Sequence, residues 1–174
     1  NKTRQQGILA NRKIRKALEM LKKHPVPTVA LVDGDCFGGG VELLSCFDRV
    51  ISAPHCLYGL WQRRIGLIFG WGGGSNLLGR MSSRQLVDLS LSTRTVSAYE
   101  ALQIGLVDQI VRRGSLESQA LHWLAALAAW PEAPVMALKK WTPKSEASIF
   151  EKLWWNPDHK RALKKFSAGK AVSP

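Results

Sequence analysis

The chain has 174 residues, of which 45% are hydrophobic and 22% charged, and its formal net charge is +12. These values are typical of a globular protein with one core, and no uninterrupted apolar run is long enough to cross a bilayer. The positive charge is compatible with nucleic acid, a membrane surface or an acidic small molecule. Lysines and arginines are scattered rather than interleaved with aromatic residues, so nucleic acid ranks below a phosphate-bearing ligand.

The cysteines indicate a reducing compartment rather than a metal site. The chain has an odd number of cysteines, at positions Cys36, Cys46 and Cys56, and their spacing matches no metal-binding pattern. Reduced thiols that pack as small apolar groups are typical of the cytoplasm, or of the mitochondrial matrix in a eukaryotic cell. We therefore expect a cytoplasmic or matrix protein without bound metal.

The first half of the chain alternates helical and extended patterns. Ile14, Leu18 and Leu21 recur at helical spacing and predict an amphipathic helix that ends near His24. A nearly continuous apolar run predicts a strand over 26–33 that is covered on both faces. A turn over 34–40, a short helix over 41–46, a strand over 49–53 and an extended piece over 57–60 follow. This order favours a stacked α/β architecture.

The second half is mainly helical. A second glycine cluster over 66–74 precedes a predicted helix but lacks the Lys and Ser/Thr of a phosphate loop. Further helices are predicted over 83–91, from a Ser97–Glu100 capping box to residue 105, and over 115–130, 146–155 and 158–166. A brief extended segment covers 106–111. These patterns predict an α/β core over 1–112 and a helical region over 113–174.

The glycine-rich turn before Glu42 is the strongest candidate for chemistry. Gly38, Gly39 and Gly40 let a ligand approach the backbone closely, and the N–H groups at the start of the next helix lack helical partners. Such donors stabilise a carbonyl oxygen that gains negative charge. Glu42 is expected to lie near these donors, within reach to transfer a proton to or from a ligand bound there. The alternatives without a catalytic role are that the glycines form only a tight turn, and that Glu42 only stabilises the N-terminus of the helix.

These segments together resemble the crotonase (enoyl-CoA hydratase/isomerase) superfamily. The matching stretches are 27–30 with Gly34, 38–43, 48–53, 66–68 with 72–73, and a Ser-Ala-x-Glu-Ala-x-x-x-Gly-Leu-Val pattern over 97–107. They run in order from about residue 25 to residue 111 and continue weakly through the tail. The resemblance implies an α/β fold with a crotonase-type (ββα)n spiral core, incomplete on its N-terminal side, and a C-terminal helical trimerisation region.

The resemblance also assigns expected roles in the site. Family members bind acyl-CoA thioesters and stabilise an enolate with two backbone N–H groups. Gly39 matches one donor, and the other comes from an Ala-Gly-x-Asp segment that in the family precedes the stretch matched here. Glu42 matches the first catalytic glutamate. Gln62 stands at the position of the second and cannot titrate, which puts ordinary hydratase activity in doubt.

The neighbouring residues favour one branch of the superfamily. The run from Phe69 to Gly73, with Trp71 inside it, and the acidic–aromatic tail over 150–159 are similar to ethylmalonyl-CoA-decarboxylase-like members. We therefore expect an acyl-CoA thioester lyase that acts through an oxyanion-hole-stabilised enolate, with decarboxylation of a malonyl-type CoA thioester as the first hypothesis. The alternatives are an enoyl-CoA hydratase or isomerase, and a non-catalytic or RNA-binding protein.

The remaining expectations concern substrate, cofactor and assembly. Gly38, Gln62, Phe69 and Trp71 are expected to line the substrate pocket. Coenzyme A enters as part of the thioester substrate, not as a permanently bound cofactor, and Lys164 and Lys165 are expected to meet its phosphates. Arg63 and Arg64 could meet a phosphate, meet a substrate carboxylate or face solvent. The family further implies a homotrimer or hexamer that does not associate with membranes.

Overall fold

The computed structural model describes residues 3–168. Its helices are α1 (Arg4–Lys22), α2 (Gly39–Leu44), α3 (Gly73–Leu77), α4 (Ser83–Ser92), α5 (Ala98–Gln103), α6 (Leu116–Ala128), α7 (Glu132–Lys140), α8 (Glu146–Leu153) and α9 (Pro157–Ser167). Its strands are β1 (Val29–Val32), β2 (Cys36–Phe37), β3 (Arg49–Ser52), β4 (Leu57–Gly59), β5 (Val96–Ser97) and β6 (Gln109–Ile110). Short 3-10 turns lie at Gln62–Ile65 and Arg113–Ser115.

The strands form two small sheets. In the first, β1, β3 and β6 lie side by side in parallel, with Val29 opposite Arg49 and Ile51 opposite Gln109. In the second, β2 pairs in parallel with β4, and β4 pairs antiparallel with β5. The strand–helix alternation therefore gives the expected α/β arrangement, and it brings the turn after β2 next to the segment after β4.

The first strand is shorter than the sequence suggested. The prediction of a strand over 26–33 is wrong at its start, because β1 begins only at Val29. Pro27 has no N–H to donate to a ladder. The N–H and hydroxyl of Thr28 donate instead to Oδ2 of Asp48, at 2.7 and 2.9 Å. Asp48 thus holds the chain where β1 and β3 come together.

The chain divides into two compact units. One comprises the residues up to His24 together with Thr28–Ala120, and the other comprises Pro25–Pro27 and the residues from Leu121 onward. The division falls inside α6 because Leu116 and Ala120 belong to the buried core of the first unit. It lies eight residues after the boundary predicted at 112 (120 − 112).

Two buried hydroxyl groups in the core of the first unit are hydrogen-bonded. Tyr58 and Ser52 are both fully buried, and the Tyr58 hydroxyl donates to Ser52 Oγ at 2.6 Å. Ser52 Oγ in turn donates to the Ala53 carbonyl at 2.8 Å. Because each donor meets an acceptor, these groups avoid the cost of unpaired burial. This core supports the two loops that carry the candidate site.

Two helix predictions need correction. Only half of the predicted capping box forms, because Ser97 Oγ accepts the Glu100 N–H while the Glu100 carboxylate pairs with Arg94. Helix α7 lies between the helices predicted over 115–130 and 146–155, in a segment whose prolines are also typical of helix ends. Pro131 instead caps α7, and Pro134 lies in its first turn, where a missing N–H costs nothing.

The second unit contains the end of α6 with α7, α8 and α9. Asn156 caps α9 by accepting the His159 N–H at 2.8 Å. Phe150, Trp154 and Trp155 are each more than half exposed, although Trp154 packs against Phe150 and His159. Over residues 3–168, no helix is both long and apolar enough to span a membrane.

Candidate active site

The glycine turn adopts a backbone conformation that requires glycine at its first position. Gly38 has φ +54° and donates its N–H to the Gly59 carbonyl at 2.8 Å, which anchors the turn to β4. Helix α2 then begins at Gly39. Within the described chain, no acceptor pairs with the N–H groups of Gly39 and Gly40. The turn therefore offers two backbone donors that are free to meet a ligand.

Glu42 is buried and accepts four hydrogen bonds. Its side chain is only 2% exposed. Oε1 accepts from Gln62 Nε2 at 3.1 Å and from the Gly70 N–H at 3.3 Å. Oε2 accepts from the N–H groups of Trp71 and Gly73 at 2.9 and 3.1 Å. A buried carboxylate needs this many donors to offset desolvation. Glu42 thus ties the first glycine turn to the second glycine cluster.

The two glycine segments fit each other reciprocally. A Cβ on Gly39 would lie 2.2 Å from Cζ3 of Trp71, and a Cβ on Gly73 would lie 2.3 Å from Cγ of Glu42. Each segment therefore supplies a glycine that makes room for a large side chain of the other. This explains the paired glycines better than the tight-turn interpretation does, because neither Gly39 nor Gly73 has a positive φ.

Gln62 lies beside the carboxylate. It opens the 3-10 turn after β4, and its Nε2 is the one side-chain donor to Glu42 among the described residues. Its Oε1 is buried and has no hydrogen-bond partner among the described protein atoms. The structure therefore juxtaposes one carboxylate and one amide where the family pattern has two carboxylates. The unpaired oxygen could accept a hydrogen bond from substrate or water.

A cleft of about 580 Å³ opens over these groups. Gly39, Glu42 and Gln62 line it, so the structure brings together the main residues singled out from the sequence. Phe69 and Trp71 also line it. The rest of its lining comes from α1 and from an apolar loop over residues 65–70: Ile8, Asn11, Arg12 and Arg15 on the helix, and Ile65, Leu67, Ile68 and Gly70 on the loop.

Helix α1 contributes a positively charged stripe. Asn11, Arg12 and Arg15 share one helical face toward the cleft. Arg15 pairs with Glu19 at 3.2 Å, whereas no ion pair or hydrogen bond of the Arg12 guanidinium lies within residues 3–168. Helical spacing alone could have grouped these residues on one face. Nothing in the sequence indicated that this face of α1 would line the same cleft as Glu42.

Several basic residues considered earlier have other contacts. Arg63 donates to the Leu91 carbonyl at 2.7 Å, and Arg64 donates to the Thr93 carbonyl at 2.6 Å while lying over the Trp61 ring. Both arginines therefore fasten the 3-10 turn to the end of α4. Lys164 and Lys165 lie exposed on α9 in the second unit.

Cys36 lies near the turn but is not a reactive group. Burial raises the pKa of its thiol from 9.0 to about 11, so it stays neutral at physiological pH. The chain holds free thiols at Cys36, Cys46 and Cys56, as the sequence predicted. Within residues 3–168, no group of three His, Cys, Asp or Glu side chains is arranged to hold a metal ion.

Comparison with known proteins places the chain in a family. The model of the enoyl-CoA hydratase/isomerase family matches residues 1–152. Among curated proteins, an ethylmalonyl-CoA decarboxylase from Danio rerio is 32% identical over 161 residues, which cover 84% of this chain and 53% of that protein. Another from Rattus norvegicus is 27% identical over 94% of this chain and 59% of that protein. The chain thus spans between half and three fifths of these relatives.

Solved structures give the same fold. An enoyl-CoA hydratase from Bacillus anthracis superposes with a TM-score of 0.88 at 25% identity and covers 98% of this chain and 70% of that one. An enoyl-CoA hydratase/isomerase family protein from Hyphomonas neptunium gives the same TM-score and identity, with 98% and 69% covered. The crotonase-type fold predicted from the sequence is confirmed. The chain belongs to the enoyl-CoA hydratase/isomerase family.

Proposed function

We propose that this chain carries the enolate-forming site of an acyl-CoA thioester lyase, and that its reaction is decarboxylation of a malonyl-type CoA thioester. The observation that carries the proposal is that Glu42 is the one carboxylate among the described residues that line the cleft. Hydration needs one group to activate water and a second to deliver a proton, but Gln62 stands beside Glu42 where a second acid would be needed. Decarboxylation needs an electron sink and one proton. The names of the curated relatives support the same choice.

In the proposed step, an enolate forms at the thioester and CO₂ is released. The thioester oxygen accepts the N–H of Gly39, whose free donor stabilises negative charge on that oxygen. The bond between the α-carbon and the carboxylate breaks, CO₂ leaves, and the electron pair passes into the enolate. The α-carbon then takes up one proton. Water supplies this proton, and Glu42 relays it to the α-carbon through Oε1, whose hydrogen bonds of 3.1 and 3.3 Å are on average longer than the 2.9 and 3.1 Å bonds to Oε2.

Enoyl-CoA hydration or isomerisation is the second candidate. It is favoured by the fold shared with the Bacillus anthracis hydratase and by a carboxylate that lines the cleft. In that case Glu42 would act as the base, and the free Oε1 of Gln62 would hold the water or substrate by accepting a hydrogen bond.

Incubation with methylmalonyl-CoA and crotonyl-CoA separates the candidates. Release of CO₂ from the first supports the decarboxylase, and consumption of the second supports the hydratase. Glu42→Gln should lower either rate at least 100-fold, with its fold checked by circular dichroism. If neither thioester is consumed and Glu42→Gln changes nothing, the enzyme proposal fails. RNA binding that survives moderate salt would then favour the non-catalytic alternative.

We further propose that the helical unit supports a homotrimer or hexamer. Exposed Phe150, Trp154 and Trp155 are typical of interface aromatics. Lys164 and Lys165, which are exposed on α9, remain our proposal for contact with coenzyme A phosphates. Light scattering of the wild type and of Trp154→Ala tests the assembly, and a purely monomeric wild type would contradict it.

A further inference from the structure

The Trp71 indole lies directly on the proposed oxyanion donor. A Cβ on Gly39 would approach Cζ3 at 2.2 Å and Cη2 at 2.4 Å, so the benzene edge of the indole contacts the Gly39 α-carbon. Trp71 also lines the cleft and is only half-buried. Any acyl group whose oxygen reaches the Gly39 N–H must therefore share space with this ring.

The ring is held from two sides. Its Nε1 donates to Asn11 Oδ1 at 2.8 Å, and the Asn11 amide is oriented by donating Nδ2 to the Gly7 carbonyl at 3.0 Å. At the other end, the Trp71 backbone N–H donates to Glu42 Oε2 at 2.9 Å. The indole is thus fixed between α1 and the carboxylate, and it does not behave as a freely rotating surface aromatic.

Another part of the cleft lining is apolar and exposed. Ile65, Leu67 and Ile68 line it with exposures of 74%, 58% and 81%. Such side chains tolerate hydrophobic groups of various lengths. The rigid indole is therefore the feature that limits size close to Gly39, whereas the loop supplies apolar contact.

We propose that Trp71 determines specificity by limiting the substituent on the α-carbon of the acyl group to a short one. The inference rests on the proposed function, because it assumes an acyl-CoA thioester placed on Gly39. It adds the substrate class: thioesters with a small α-substituent. Asn11 is the positioning residue that holds the ring through Nε1.

Binding of unreactive saturated thioesters tests the proposal without requiring turnover. Isothermal titration with acetyl-, butyryl- and octanoyl-CoA should show wild-type affinity at least tenfold weaker for the longest chain than for butyryl-CoA. Trp71→Ala should reduce or reverse that ratio by about tenfold or more, since pocket size discriminates by about this much per methylene. Asn11→Leu should give a smaller change in the same direction. Trp130→Phe, at an exposed tryptophan of the second unit, should leave the ratio unchanged.

The chain-length ratio in the Trp71 variants tests the inference separately from the proposed function. An unchanged chain-length ratio in folded Trp71→Ala and Trp71→Phe overturns the inference while leaving the proposed function intact. A wild type that binds no acyl-CoA overturns both. If Trp71→Ala does not fold, Trp71→Phe and Asn11→Leu test the inference instead, because both remove the hydrogen bond from Trp71 Nε1 to Asn11 while keeping a large side chain. An unchanged chain-length ratio in both variants would overturn the inference.

Discussion

Gln62 Nε2 donates a hydrogen bond to Glu42 Oε1 across 3.1 Å. The two side chains come from α2 and from the 3-10 turn after β4, so the bond joins segments that are 20 residues apart. It replaces the repulsion that two neighbouring carboxylates would experience with an attractive, charge-assisted contact. The cleft therefore holds a carboxylate and an amide at this point.

Gln62→Glu should make the stability of the protein depend on pH. Two carboxylates at this separation repel each other unless they share a proton. We expect the free energy of unfolding to fall by about 1–3 kcal/mol at pH 8 and by less at pH 5. Urea unfolding at both pH values measures this. Gln62→Met removes the donor without adding charge, so it should lower the free energy of unfolding equally at pH 5 and pH 8. If Gln62→Glu also lowered that free energy equally at both pH values, the explanation would be refuted.

Gly39→Ala should destabilise the protein because its Cβ would collide with the Trp71 ring at 2.2 Å. Overpacking of this kind costs about 1–3 kcal/mol. Combining it with Trp71→Ala should recover part of that loss, giving a favourable coupling energy in a double-mutant cycle. Gly34→Ala is the matched control, since a Cβ there meets nothing within 4 Å. Strictly additive effects of the two changes would contradict the contact.

Arg12→Gln should weaken binding of acyl-CoA several-fold, because its unpaired charge lines the cleft. Arg15→Gln should have a smaller effect, since Glu19 already neutralises that charge. These are exposed groups, so each effect corresponds to about 1 kcal/mol or less and should diminish in high salt. Lys13→Gln removes a charge from α1 outside the cleft lining and is the control. Equal losses for Lys13→Gln and Arg12→Gln would indicate a general charge effect.

Stability should decline in alkali. Burial raises the pKa of Cys36 from 9.0 to about 11 and raises the pKa of Tyr58 above its ordinary 10.0. The folded state therefore holds both protons more tightly than the unfolded state. The corresponding stability is present below pH 9 and is lost as pH rises through about 11. Urea midpoints between pH 8 and 11 measure the slope. Cys36→Ala should flatten it, whereas Tyr99→Phe, at an exposed tyrosine, should not.

The sequence identified the chemical groups better than their surroundings. The Gly38–Glu42 segment could be predicted because its function depends on local features, namely a positive φ, absent side chains and a nearby carboxylate. Gln62 and Trp71 could be assigned to the pocket through the family pattern. Helical patterning also predicted the end of α1 and the whole of α6.

Other parts depend on contacts between distant segments. The four donors to Glu42 come from residues 62–73, and no local pattern indicates that three backbone N–H groups there would converge on one carboxylate. The stripe on α1 has ordinary amphipathic spacing, so its place on the cleft follows only from tertiary packing. Helix α7 was missed because proline has two opposite meanings, as a terminator and as a first-turn residue.

The reciprocal fit of the two glycine segments also affects how the site forms. Glu42 and Gly73 are 31 residues apart, so bringing them together costs about 3 kcal/mol of loop-closure entropy. Each segment occupies the space left by the other's missing side chain, so their packing is mutually dependent. The site should therefore assemble in one cooperative step, late in folding, and should open as a unit. In hydrogen exchange, the amides of Gly70, Trp71 and Gly73 would then share one opening free energy instead of fraying individually.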